Sequence, residues 1–273
     1  MTFWQSVLSF LDASMETPLP YGWFHILFFL LSFLAAIPLC RYPKKPSDEH
    51  IRRVVWITAA VVAVLEIYKQ INYSFSYENG ISYDYQWYAF PFQFCSTPMY
   101  VGLLAGIFKK GKVHESLCAY LATYALFAGV SVMVYPVSVF ISTIGINIQT
   151  MICHGSMITV GIYLFYSGYV KLSHKTILKA MPVFAVGVAL AAIMNEIAKA
   201  TGLLERETFN MFFISPHCEP SLPVYSLVQA YVPFPFCLVL YILGFTAAAY
   251  LMLLIAMGIA SLAKMQKKQK IAV

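Results

Sequence analysis

Apolar stretches of about 20 residues follow one another along this chain with short polar breaks between them. Each can cross a hydrocarbon core of roughly 30 Å at about 1.5 Å per residue. The composition agrees: 60% of the residues are hydrophobic and 11% charged, with a mean hydropathy of +0.72, whereas soluble domains carry roughly 25% charged residues. The expected fold is an all-α membrane protein of about seven transmembrane helices, over residues 22–40, 54–75, 88–108, 115–136, 148–172, 176–201 and 233–263. Residues 1–21 read as a short external segment in which Trp4, Val7, Leu8 and Leu11 share one helical face, as in a helix lying in the interface. Residues 22–263 form the membrane domain and 264–273 a basic cytoplasmic tail. The last stretch is long for one crossing, so it is expected to tilt or to emerge into the cytoplasm.

Orientation follows from the basic residues between spans. Arg41, Lys44, Lys45, Arg52 and Arg53, then Lys109, Lys110 and Lys112, then Lys171, Lys175 and Lys179, and finally Lys264, Lys267, Lys268 and Lys270 all fall on one face. The other face holds Lys69, Lys199 and Arg206 against Asp12, Glu16, Glu78, Asp84, Glu205, Glu207 and Glu219. The N-terminus is therefore expected outside and the C-terminus in the cytoplasm of a multi-pass cell-membrane protein. No Lys or Arg precedes Arg41, so no cleavable leader is expected. The net charge of +6 is spread over short turns that face anionic headgroups, and it calls for no nucleic-acid partner.

Polar residues gather at one depth in this topology. His25, Glu66, Lys69, Gln70, Gln93, Cys95, Gln149, His154, Asn195 and Glu196 all fall in the outer halves of their spans. Ionisable groups inside a bilayer cost several kcal/mol unless paired or wet, so a one-sided cluster points to a polar cavity. Plainer readings stand beside this one. Glu66 and Lys69 have the spacing of a salt bridge, and Gln93, Gln149 and Asn195 that of interhelical hydrogen bonding.

Within the cluster, Cys95 and His154 pair a nucleophile with a base at matching depth. Pro91 suits a helix first turn, which puts Cys95 near a helix N-terminus where thiolate is favoured. Pro98 cannot donate to the Phe94 carbonyl, so a kink is expected below the thiol, with Gln93 or water taking the freed carbonyl. Gly155, Ser156 and Gly161 would let a neighbouring helix or a lipid chain approach His154.

The stretch FPFQFCSTPMY resembles the LPxxxC segment of the YwaF-like integral membrane family, the family of transmembrane protein 164. IQTMICHGSMI resembles its histidine segment, and MNEIAKATG, FNMFF and YVPFPFCLVLY resemble its late motifs. Met211 stands where that pattern has a tyrosine after Asn210, and phenylalanines stand for its tryptophans. The resemblance implies a seven-helix fold with Cys95 and His154 as a catalytic pair acting on glycerophospholipid acyl chains, with phospholipid and lysophospholipid as partners.

The chemistry expected is acyl transfer through a Cys95 thioester, with His154 as base and no cofactor. Water as acceptor would make the protein a lipase. Gln93 or Gln149 are candidate oxyanion donors, Glu66 or Glu196 candidate orienters of the imidazole, and Asn210 completes the supporting cluster. No zinc-binding spacing, nucleotide loop or G-x-S-x-G elbow is present. Two other function classes fit the same residues. One is a small-solute or proton-coupled transporter lined by Glu66, Lys69, Asn195 and Glu196; the other is a scaffold in which Cys95 and His154 are packing residues.

Overall fold

The computed structural model describes residues 2–43, 45–136, 139–206, 209–219 and 222–272, with side chains of 205, 206, 223, 224 and 264–272 left aside. Lys44 and Glu207 lie outside the described residues, as do the side chains of Glu205, Arg206 and the basic tail. Helix α1 (Phe3–Leu11) opens with a capping box, Thr2 and Gln5 satisfying each other's backbone N–H. It exposes Phe3, Trp4 and Phe10, while its inner side is tied to the outer loops. Gln5 donates to the Tyr77 carbonyl, and Asp12 accepts from Tyr77 and Thr143.

The first crossing is α2 (Trp23–Leu34) continued by α3 (Ala36–Arg41), and the second is α4 (Asp48–Asn72). A two-stranded antiparallel hairpin, β1 (Phe75–Ser76) and β2 (Ser82–Tyr83), caps the end of α4. Helices α6 (Lys112–Tyr120) and α7 (Leu126–Val134) form one crossing, joined by a fully buried π-helical turn at Leu121–Ala125. Next come α8 (Ile144–Tyr166), α9 (His174–Ala200), the short α10 (Leu203–Arg206) and α11 (Pro223–Gln229), and finally α12 (Phe234–Ala272).

Six helices are long and apolar enough to span a membrane among the described residues, not seven. The expected third span, 88–108, supplies only α5 (Thr97–Ile107). The prolines explain why. Pro91 and Pro98 each lack an N–H, and Pro98 falls in the first turn of α5, where that loss is harmless. So Pro91 does not start a helix, Pro98 does not kink one, and residues 90–96 run as turns. The Phe94 carbonyl is taken by the Thr97 hydroxyl at 2.8 Å, and Gln93 is engaged elsewhere.

Close helix approaches hold the bundle. Gly102 and Gly106 of α5 face α4, where an added Cβ would come within 2.8 Å of Ala59 and 2.3 Å of Trp56. On α7, Gly129 lies so close to α8 that a Cβ there would stand 2.6 Å from the His154 carbonyl oxygen. The core centres on Tyr120, Tyr124, Phe184 and Phe212, with Tyr124 and Phe184 stacked 4.6 Å apart. The segment between α9 and α12 does not stay at the surface. Met211, Phe212 and Ile214 are wholly buried, and Phe212 and Phe213 adopt φ of 57° and 56°.

Candidate functional site

Two non-helical segments, 90–96 and 209–215, meet inside the bundle, where unpaired backbone groups are tolerated only if protein satisfies them. The polar residues of the sequence cluster do much of that work. Gln93 accepts from the Phe212 N–H at 2.9 Å and donates to the Asn210 carbonyl at 3.0 Å. Asn195 grips Met211 from both sides, donating to its carbonyl at 3.1 Å and accepting its N–H at 2.8 Å. Asn210 accepts the Ser215 N–H, and Tyr241 donates to the Phe212 carbonyl. Gln93, Asn195 and Asn210 therefore join the two segments, and the Gln93 amide is engaged there instead of facing a reacting carbonyl.

The ionic half of the cluster lies on α4 and α8. Glu66, buried, pairs with Lys69 at 2.7 Å and accepts from Gln70 and from Gln149. Gln149 thus spans α4 and α8 through this carboxylate. Glu196 stands apart: it is half exposed and bonds His217 at 3.0 Å, far from any role at the imidazole of His154. His25 is likewise engaged elsewhere, at the Met133 carbonyl.

Cys95 sits in the turn just before α5, half-buried, two residues from the helix start. Its carbonyl accepts from the Cys153 thiol at 3.7 Å, which brings the segment against α8 at the residue next to His154. Ser96, buried, follows it in the turn. His154 is buried, and its Nδ1 donates to the Thr150 carbonyl one turn back at 2.8 Å. That bond fixes the tautomer: the proton is on Nδ1, and Nε2 keeps its lone pair. Nε2 makes no hydrogen bond among the described residues, and none joins His154 to Cys95.

A family model matches the chain over residues 18–257 under the description TMEM164 family. The chain belongs to the TMEM164 family. No curated protein and no solved structure matches it. In this member of the TMEM164 family the matched range takes in segments 90–96 and 209–215, Cys95, His154 and all the membrane-length helices except the end of the last, which runs to Ala263.

Several contributors were invisible to sequence reasoning. The Thr150 carbonyl, not a carboxylate, orients the imidazole, and a backbone group four residues back on a helix leaves no compositional mark. Ser96 and the Cys95 N–H were hidden because the segment reads as helix until its prolines are placed. Among the described residues no group of three His, Cys, Asp or Glu is arranged to hold a metal ion.

Proposed function

We propose that this membrane protein of the TMEM164 family moves acyl chains between glycerophospholipids through a thioester on Cys95, with His154 as general base. The observation that carries the reading is the imidazole: Nδ1 is pinned to Thr150, so the basic Nε2 is unengaged within a buried polar cluster that also holds a thiol.

Nε2 takes the thiol proton, and the thiolate attacks the ester carbonyl of a phospholipid. The tetrahedral intermediate collapses by breaking the acyl C–O bond, and the departing lysolipid oxygen takes the proton back from the imidazolium. A lysophospholipid hydroxyl then loses its proton to Nε2 and attacks the thioester; the C–S bond breaks and the thiol is restored. The Cys95 N–H, the Ser96 hydroxyl and the Lys69 ammonium, which Glu66 holds, are assigned here as donors to the oxyanion. The dipole of α5 adds to them, because Cys95 lies just beyond its positive end.

The setting is a cell membrane with the N-terminus outside and the C-terminus in the cytoplasm, as the lysine and arginine distribution implies. Seven crossings then require the third to be made by the turn segment 90–96 together with α5. The test is transfer of a labelled chain from phospholipid to lysophospholipid by purified protein without coenzyme A. Cys95→Ala and His154→Ala abolish transfer, Cys118→Ala leaves it unchanged, and hydroxylamine releases an acyl group from the wild type only. Full transfer by Cys95→Ala would sink the covalent mechanism.

A further inference from the structure

Given that acyl-transfer reading, the chain esterified to Cys95 must lie somewhere within the membrane, and the two faces of α5 offer very different room. Towards α4 and α8, the void beside Pro98 and Cys153 amounts to only about 30 Å³. On the opposite face, between α5, α6 and α9, a cleft of about 470 Å³ opens sideways to the bilayer, a size typical of small-molecule sites, roughly 300–1,000 Å³. Its head is formed by Phe92 and Thr97, which flank Cys95 in the chain, and by Phe212; its foot is Lys112. Lys112 and Tyr120 bound α6, so the cleft runs about 12 Å along the helix axis, most of one leaflet of a roughly 30 Å core.

We infer that this cleft is the acyl-chain site, holding the hydrocarbon of the Cys95 thioester with its methyl end towards Lys112. Its walls are almost wholly apolar, and Gly187 on α9 leaves the middle open. A Cβ at Gly187 would meet only the Phe212 ring, at 3.4 Å, an ordinary contact. Thr97 and Tyr120, whose hydroxyls are bonded at 2.6 Å, close the head of the cleft two residues along the chain from Cys95. Headgroup and chain thereby separate, the polar groups facing Glu66 and Lys69 and the hydrocarbon turning to the other face of α5. Donor selectivity by chain length follows, set by the distance from Thr97 to the foot of the cleft.

The experiment measures acyl loading of Cys95 by intact-protein mass spectrometry, using full-chain protein in vesicles of a diether phosphatidylcholine, which cannot donate, doped with dioctanoyl or dipalmitoyl phosphatidylcholine. Gly187→Phe and, from the facing helix, Ser116→Trp reduce palmitoyl loading about tenfold or more, the scale that a misplaced methylene carries in an apolar pocket. Octanoyl loading falls less than palmitoyl loading, and Gly187→Ala matches wild type with both donors. A palmitoyl analogue with a photoreactive group at its methyl end labels the start of α6 in the unaltered protein, which reads the same site without relying on a variant's folding. Wild type that loads both chains, with both variants keeping the wild-type ratio or the photolabel falling elsewhere, overturns the chain site alone. Wild type that never carries an acyl group refutes the acyl-transfer reading and the chain site with it.

Discussion

Replacing Asn195 by alanine tests the idea that the buried segment 209–215 is held by side-chain amides. The substitution removes two hydrogen bonds, 3.1 and 2.8 Å long, to the carbonyl and N–H of one residue, Met211, which has no solvent exposure. Water cannot replace them there. Each orphaned backbone group costs about 1–3 kcal/mol, while side-chain hydrogen bonds in membranes average about 0.6 kcal/mol with a ceiling near 1.7. Two such bonds place the loss at about 2–4 kcal/mol. The segment also stores strain, since Phe212 and Phe213 sit in the left-handed region at about 1–2 kcal/mol each, so it has a reason to relax once released. Thermal unfolding in detergent should show a fall of about 4–16 °C, at roughly 2–4 °C per kcal/mol for a chain of this size. Gln93→Ala loosens the same segment from its other side, so the double variant should lose less than the sum of the two singles. A midpoint for Asn195→Ala within about 1 °C of wild type would refute the reasoning.

Gly129→Ala should cost about 1–3 kcal/mol of stability and lower acyl transfer, because its methyl would press on the His154 carbonyl and the Met157 Cβ, backbone-anchored atoms that cannot yield; unchanged melting and activity would contradict the α7–α8 packing. Lys69→Met should destabilise by about 3 kcal/mol by leaving buried Glu66 without its cation, and adding Glu66→Gln should recover most of that stability but not the activity. Recovery of both in the double variant would remove Lys69 from the proposed chemistry. A tag fused after Val273 should be reachable by protease only from the cytoplasmic side; cleavage from outside in intact cells would reverse the topology.

The membrane class, most crossings and the family were legible because they depend on hydropathy, length and short motifs that survive in one sequence. The Glu66–Lys69 pair was legible too, since i, i+3 spacing on a helix fixes proximity. The third crossing was not. Hydropathy over 88–108 is that of a helix, and only the hydrogen bonds of Gln93, Thr97 and Tyr100 reveal that the first half is turns. The shared depth of Gln93 and Asn195 with Cys95 was read as a cavity lining, yet both amides serve segment 209–215, a stretch whose return into the bundle has no periodic signature. Glu196 shows the other limit: depth along a helix says nothing of azimuth, and its side of α9 faces outward to His217.

The π turn at Leu121–Ala125 sets how the two halves of the site are indexed against each other. Upstream of it Tyr120 meets Thr97 beside the thiol; downstream Gly129 meets the backbone of His154. A regular helix advances about 100° per residue, so removing one residue within 121–125 would act like a gear slipping a tooth. Either half could keep its mesh, the thiol side or the imidazole side, but not both. Such a deletion would yield a folded bundle whose nucleophile and base are each intact and no longer in phase.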